Sequence, residues 1–301
     1  MSNATDPESA DDGFGLVERL TENKYVGLAL TAGPITLLEL VFFIGALVVM
    51  LTIATMQMEN FNLIPEYGIS NFVDGVTKVQ NVRAFQNTIT LSASATIASA
   101  IIAYPIAYFI AKYGGQYKHQ LAAIVIIPFW TNYVIRIYGW RMLLSDNGVV
   151  NTLLIWIGIV QEPLDFVLNT RFSIWFGLVY LLLPFMILPL YSTLDGIDDT
   201  LIEAAYDLGA SRRAVFRRII FPLSIPGLMA GTIFVFIFSM GAFIVPAMMG
   251  GGVPYVGTRI NFEFGFGGDW PAGAALGSIL MFLVLVSLGT MLRYANMEDL
   301  F

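Results

Sequence analysis

Six long runs of apolar residues constrain the fold of this chain more than any other feature. A helix needs about 20 mainly apolar residues to cross the ~30 Å hydrocarbon core of a bilayer. Charged residues make up 12% of the 301 positions, about half of the share in a soluble domain. The sequence therefore predicts an all-α integral membrane protein with six transmembrane helices, at approximately 35–56, 88–111, 121–144, 172–194, 222–247 and 272–292.

The segments outside these runs have different characters. Residues 1–30 are mainly acidic and lack the positively charged, apolar pattern of a signal peptide, so we expect a tail in front of a transmembrane domain at 31–301. The run 148–160 is too short to cross, which favours an interfacial or re-entrant helix. A polar loop, 195–221, separates the fourth and fifth runs.

The lysines and arginines predict the orientation. Cytoplasmic segments are enriched in these residues, and an N-terminus inside puts most of the 15 on that side. We therefore expect a multi-pass protein of the plasma (inner) membrane with both termini, and hence the acidic tail, in the cytoplasm. The inside set is Arg19, Lys24, Lys112, Lys118, Arg212, Arg213, Arg217, Arg218 and Arg293, against Lys78, Arg83, Arg141, Arg171 and Arg259 outside.

Composition and motifs argue against several functions. A net charge of −7 argues against a nucleic-acid partner, which would need a basic surface. Cysteine is absent and His119 is the single histidine, so a metal site or a thiol nucleophile is not expected. No glycine precedes a lysine, so the phosphate-binding pattern G-x-x-x-x-G-K-[ST] does not occur. We expect no catalytic residue and no cofactor in this chain.

The polar loop contains two predicted short helices that meet at a glycine. Thr200 and Glu203 have the spacing of a capping box, which predicts a helix that begins at Leu201. Gly209 would end that helix in the left-handed conformation, and Ser211 would cap the next one. Periodicity alone is compatible both with a loop that rests on lipid headgroups and with a docking element for another protein.

The spacing in this loop resembles a known family. Glu203-Ala204-Ala205, Gly209, Ile219 and Pro222 match the EAA loop of permease subunits of ATP-binding-cassette importers, with Phe221 where the family usually has leucine. The resemblance implies a type I importer permease in which this loop is the coupling helix. Glu203, Ala204, Ala205 and Gly209 would contact a separate ATPase, and Pro222 would set where the chain returns to the membrane.

Two further stretches resemble the spermidine/putrescine branch of that family. They are residues 128–151 and 224–251, and the whole resemblance covers roughly 85 to 290. It implies a heterodimer with a second permease subunit, an ATPase dimer that binds the ATP, an extracytoplasmic substrate-binding protein, and surrounding lipid. A permease for iron, thiamine or another small solute is the alternative. A gradient-driven carrier is less favoured, because it would have no use for an EAA loop.

The substrate path is less well defined by the sequence. Polyamines are multivalent cations, and carboxylates and aromatic faces would bind them. Glu39 in the first run and Trp130 and Tyr133 in the third are candidates for these roles. Arg136, one helical turn further on, is an ionisable residue within a run and hence also a candidate, although it would repel a cation. Glu39 and Arg136 are equally compatible with positions near the membrane surfaces.

Overall fold

The computed structural model of the protein describes residues 32–298, with side chains up to Arg293. The chain divides into two compact units, residues 1–53 and 54–301. The predicted acidic tail, residues 1–30, lies outside the described residues. The described element of the first unit is helix α1, Gly33–Thr55, whose last two residues belong to the second unit.

The second unit is helical apart from one small ribbon. Strands β1, Gln57–Glu59, and β2, Asn62–Ile64, pair antiparallel and were not predicted. The helices are α2 Ser70–Thr77, α3 Val79–Tyr113, α4 Lys118–Ile126, α5 Tyr133–Leu144, α6 Val149–Ile157, α7 Arg171–Asp195, α8 Asp199–Asp207, α9 Arg212–Val215, α10 Phe221–Met240, α11 Ile244–Met249, α12 Val256–Phe264 and α13 Trp270–Glu298. A π-helical turn, Phe216–Ile220, joins α9 to α10, so Arg212–Met240 is one continuous helical segment.

The prediction of six spans holds only if a broken helix is counted as one of them. Within residues 32–298, five segments are long and apolar enough to cross a membrane: α1, α3, α7, Arg212–Met240 and α13. The predicted third span, 121–144, is not one helix. Helix α4 ends at Ile126, and a 3₁₀ turn continues the chain to Trp130. Helix α5 then begins at Tyr133 after a bend of 87°. Asn132 caps α5 by accepting a 2.8 Å hydrogen bond from the amide of Val134.

One other predicted boundary also differs from the structure. The fifth span ends at Met240 rather than at 247, and α11 is a separate short helix. The apolar sequence continues through this break, so hydropathy alone gives no signal for it. The short run 148–160 does contain a helix, α6, which ends at Gly158 with φ of +80°.

Helices α3, α7 and α10 pack closely around one core. Small residues make this possible, because they let helix backbones approach one another. Ala95, Ala103 and Ala107 on α3 are fully buried. On α10, a Cβ atom added at Gly227 would lie 2.7 Å from the carbonyl oxygen of Pro189 on α7. An added Cβ at Gly231 would lie 3.0 Å from Cα of Met186, so α7 and α10 are in backbone contact at two successive turns.

Hydrogen bonds attach the segment between α11 and α12 to this core. The buried hydroxyl of Tyr255 donates to the carbonyl of Ser239 at 2.6 Å and lies 3.1 Å from the hydroxyl of Ser92. The amide of Val256 donates to Thr88 Oγ1 at 2.9 Å. Apolar surroundings make an unpaired backbone group costly, so these α3 side chains stabilise an irregular stretch of chain.

The contact at Gly227 gives the first prediction. Gly227→Ala would force α7 and α10 apart, with an expected cost of about 1–3 kcal/mol in the free energy of unfolding. Gly289→Ala on α13 is the matched control, because nothing lies within 4 Å of its added Cβ, and alanine in a helix is favoured by about 0.5–1 kcal/mol. Thermal unfolding in detergent should show a lower Tm for the first variant only, and equal Tm values would contradict the close packing.

Candidate functional site

Helix α8, in the polar loop, begins differently from the prediction. The expected capping box of Thr200 and Glu203 is wrong, because the helix starts at Asp199 and its cap is Asp198. The carboxylate of Asp198 accepts a 2.9 Å hydrogen bond from the amide of Thr200. This bond holds the pKa of Asp198 below its ordinary value, because the ionised form is the better acceptor. An aspartate in this position also suits the positive end of the helix dipole.

The end of α8 is a Schellman turn, as the glycine led us to expect. Gly209 has φ of +80°, a conformation that costs a residue with a side chain. Its amide donates to the carbonyl of Tyr206 at 2.8 Å, and the amide of Ala210 donates to that of Ala205 at 3.0 Å. Both bonds of the motif are therefore present. They fix the angle at which the chain leaves the helix.

The two faces of α8 have different environments. Ile202 and Ala205 pack towards the hydrophobic core of the unit. Glu203, Ala204 and Gly209 are exposed, so the structure brings the predicted coupling residues to one corner of the loop, with Ala205 at its inner side. Beside Gly209, the large apolar side chain of Leu208 is 88% exposed.

Two lysines attach the base of this corner to neighbouring helices. Lys112, at the end of α3, is only 10% exposed; its Nζ donates to the carbonyl of Ile197 at 2.8 Å and lies 2.7 Å from Asp199 Oδ1. Lys118, at the start of α4, lies 2.7 Å from Asp195 Oδ1 at the end of α7. The base of the corner is thus bonded to the end of α3 and to the start of α4.

An aromatic cluster supports the other side of the corner. Phe216, the first residue of the π-helical turn, contacts Tyr104 and Tyr108 of α3 with ring centroids 5.8 and 5.9 Å apart. The hydroxyl of Tyr104 lies 2.9 Å from that of Ser224 on α10. Pro222 follows the π-helical turn near the start of α10, where a residue without an N–H is tolerated.

The broken span forms a pocket around three of the four predicted path residues. Trp130, Tyr133 and Arg136 line a cavity of about 590 Å³ together with α7 side chains, among them Phe185. Tyr133 and Phe185 also line an adjoining cavity of about 350 Å³ that reaches Phe238 at the end of α10. We refer to these two cavities as the broken-span pocket.

Arg136 lies in this pocket and has no charged partner in the part of the chain that the structure describes. Its guanidinium lies 5.8 Å from the ring centroid of Phe129, and its Nε is buried with no hydrogen-bond partner among the described residues. Glu39 is exposed on α1, in the first of the two units. Three of the four predicted path residues therefore lie in one pocket.

His119 lies near the start of α4 and contacts α7. Its Nδ1 lies 3.2 Å from the hydroxyl of Tyr191. Over residues 32–298, no three His, Cys, Asp or Glu side chains are grouped as a metal would require.

Sequence reasoning missed several residues of the site. Lys112 and Lys118 were counted only as orienting charges, and nothing local shows that they reach Ile197 and Asp195. Asp198 had a detectable signal, because an aspartate just before an apolar periodic segment is a common cap. In the sequence, nothing distinguishes Phe129 and Phe185 from the other apolar residues of the predicted spans.

Known proteins match this chain over more than half of its length. Residues 103–296 match the family described as the binding-protein-dependent transport system inner membrane component. The spermidine/putrescine transport system permease protein PotB of Haemophilus influenzae is 40% identical over 82% of this chain and 87% of its own length. PotB of Escherichia coli K12 is 40% identical over 71% of this chain and 78% of its own. The inner membrane ABC transporter permease protein YdcU of that strain is 32% identical over 90% of both.

Solved structures show the same fold at low sequence identity. A chain of a bacterial alginate ABC transporter, in complex with an alginate pentasaccharide-bound periplasmic protein, has a TM-score of 0.71 at 20% identity, covering 94% of this chain and 96% of that one. A chain of the MetNI methionine ABC transporter in an inward-facing conformation has a TM-score of 0.55 at 18% identity, covering 72% and 95%. The predicted fold of an importer permease is confirmed.

Lys112 gives a prediction about the rigidity of the corner. Lys112→Met removes the charged donor to Ile197, and such a bond contributes about 1.5–3 kcal/mol when buried. Lys78→Met is the control, because its pair with Asp74 is exposed and such pairs contribute about 0–1 kcal/mol. Hydrogen–deuterium exchange over 196–207 should be faster in the first variant only. Unchanged exchange there would show that Lys112 does not hold the corner.

Proposed function

This chain belongs to the family of inner-membrane components of binding-protein-dependent transport systems, and from that premise we propose that it is the permease subunit of an ATP-driven polyamine importer. The solute proposed is spermidine or putrescine, which the names of the PotB relatives support. In this proposal the chain forms part of the translocation path and moves in response to a separate ATPase.

The observation that carries the proposal is the exposed corner on a firmly attached base. Ala204 offers a small side chain, so a partner surface can approach the backbone of α8 closely. Leu208 is a large apolar side chain in water unless a partner covers it. We assign Glu203, Ala204, Ala205 and Gly209 to the contact with the ATPase dimer. Pro222 then defines the start of the membrane segment behind it.

The connections of the corner suggest how motion would reach the path. Lys112 and Lys118 link the loop to α3 and α4, and the cluster around Phe216 adds a second link to α3. Helices α7 and α10, which carry the two ends of the loop, also contribute Phe185 and Phe238 to the broken-span pocket. A displacement of α8 would therefore move two walls of that pocket as rigid bodies.

The chain itself acts without a catalytic site in this proposal. ATP is bound and hydrolysed by the ATPase dimer, since the sequence has no phosphate-binding loop. Both termini face the cytoplasm, a second permease subunit completes the path as a heterodimer, and an extracytoplasmic binding protein delivers the solute. The alginate transporter crystallised with a periplasmic protein supports the last of these partners by analogy of fold.

The broken-span pocket is the proposed position of the solute path. Trp130 is 86% exposed and, with Tyr133, offers ring faces that attract ammonium groups. Glu39 on α1 is proposed separately, as a carboxylate that the solute meets. The positive charge of Arg136 would repel a free cation. Other contacts that the solute makes, or a partner subunit, must therefore offset this repulsion.

Arg136 also favours a second candidate function. A permease of the same type for another small solute, one that is neutral or anionic, would meet no repulsion in this pocket. Competition assays that compare spermidine with neutral and anionic solutes separate the two candidates, because each predicts a different class of competitor.

Gly209 tests the coupling assignment. Gly209→Val places a β-branched residue at positive φ, which costs about 1–2 kcal/mol or more and should distort the corner. Gly209→Asn is the matched variant, because asparagine tolerates this conformation and nothing lies within 4 Å of an added Cβ. In proteoliposomes with the whole complex, valine should separate ATP hydrolysis from uptake and asparagine should preserve both. Normal uptake with valine would reject the assignment.

Trp130 and Glu39 test the path. Trp130→Ala should lower spermidine uptake about fivefold or more, because cation–π contacts contribute about 1 kcal/mol or more when desolvated. Trp156→Ala is the control, since that residue is equally exposed, at 84%, but does not line the pocket. Glu39→Gln should also reduce uptake if its carboxylate meets the cation. Uptake kinetics that match the wild type for Trp130→Ala and Glu39→Gln would remove both residues from the path.

A further inference from the structure

A groove of about 560 Å³ lies where the helical segment Arg212–Met240 begins. It is lined by three arginines and two phenylalanines: Arg212, Arg213, Arg217, Phe216 and Phe221. These residues recur on one side of α9, the π-helical turn and the start of α10. We refer to this feature as the arginine groove.

The arginines of the groove are not neutralised within the described part of the chain. Four arginines occur within seven residues, at positions 212, 213, 217 and 218, and all are exposed. Over residues 32–298, none of them has a carboxylate within 4 Å; the ion pairs there involve Lys78, Lys112, Lys118 and Arg259 instead. The groove therefore offers several guanidinium groups to an anion, and guanidinium is the side chain best suited to bidentate phosphate contacts.

The lining of the groove is also strongly apolar. Phe216 and Phe221 form part of its wall, and their rings lie 6.2 Å apart between centroids. Phe221 and, two residues on, Leu223 are exposed at the start of a segment long and apolar enough to cross a membrane. The apolar wall thus continues onto the surface that faces lipid, so the groove combines positive charge with an apolar exit.

We propose that the arginine groove binds one anionic phospholipid. Its phosphate would lie between the guanidinium groups, and the part of an acyl chain nearest the headgroup would lie against Phe216 and Phe221. Clustered basic residues next to a membrane segment attract anionic headgroups, and the apolar wall favours an amphiphile over a soluble phosphate or an acidic protein surface. The bound lipid would hold the π-helical turn at the membrane surface, directly behind the corner of α8. The inference depends on the membrane position of this segment and not on which solute is transported.

The test uses the chain purified with the subunits that co-purify with it. Dioctanoyl phosphatidylglycerol and dioctanoyl phosphatidylcholine are titrated separately, and bound lipid is counted by native mass spectrometry. The wild type should bind the anionic probe at least tenfold more tightly. Each arginine removed should weaken binding about fivefold, so the triple variant R212Q/R213Q/R217Q should lose about a hundredfold. Binding of the two probes with equal affinity would overturn the proposal.

Arg218→Gln is the matched control. Arg218 is exposed in the same π-helical turn but does not line the groove, so its variant should keep the affinity within about twofold. A loss as large as that of Arg217→Gln would mean that only diffuse charge acts, which contradicts a defined groove. If the triple variant does not fold, the single variants Arg213→Gln and Arg217→Gln carry the same comparison.

Two further arms separate other occupants from a lipid. If inorganic phosphate displaces the phosphatidylglycerol probe at comparable concentration, the apolar wall contributes nothing and a phosphate site replaces the lipid site. If the triple variant keeps its lipid affinity but loses the co-purifying ATPase, the arginines contact that subunit and the lipid proposal fails. Gly209→Val provides the separation from the proposed function, because it should impair coupling while leaving lipid binding unchanged.

Discussion

The backbone contact between α7 and α10 is the constraint on which the other features depend. At Gly227 and Gly231, α10 has no side chain of its own facing α7, so the two helices pack in close contact and we expect them to move together. Helix α7 contributes Phe185 to the broken-span pocket and ends at Asp195, where the polar loop begins. A rigid pair of helices therefore connects the proposed docking corner with the proposed path. Side chains larger than glycine at these positions would remove that connection.

Irregular backbone in an apolar setting requires polar partners, and this fold provides them from side chains both near and distant along the chain. The break in the third span is capped by Asn132, and the segment before α12 is bonded to Thr88 and Ser92 on α3. Broken helices in membrane proteins are tolerated where they line a cavity, because the freed backbone groups are then not exposed to lipid. The broken-span pocket lies at such a break, which is the reason for assigning the path to it.

Positively charged residues in this protein have at least three roles, although the orientation rule counts them alike. Lys112 and Lys118 turn inward and hold the base of the loop through hydrogen bonds and ion pairs. The arginines before α10 point outward and remain unpaired within the described residues, so they are available to a ligand. Arg136 is within the broken-span pocket, where its charge would affect which solutes can pass if the proposed path is correct. Burial and partners, and not residue type, separate these roles.

Much of the architecture and one part of the site could be predicted from the sequence. Hydropathy depends on composition along a continuous segment, so most spans were located well, and the glycine at 209 identified the turn because few other residues adopt its conformation. The register of α8 was less certain, since Asp198 and Thr200 are both suitable caps and only the folded backbone selects one.

Contacts between distant residues were decided by tertiary structure alone. Lys112 and Ile197 are 85 positions apart, and no local pattern shows that one donates to the other. Trp130, Tyr133 and Arg136 would follow one another along an unbroken helix, but the 87° bend turns them into the lining of a pocket shared with α7. Local periodicity determines which residues are helical and apolar. Where helices break and which side chains meet also depends on packing against segments elsewhere in the chain, because such segments supply polar partners to irregular backbone, as Thr88 does for Val256.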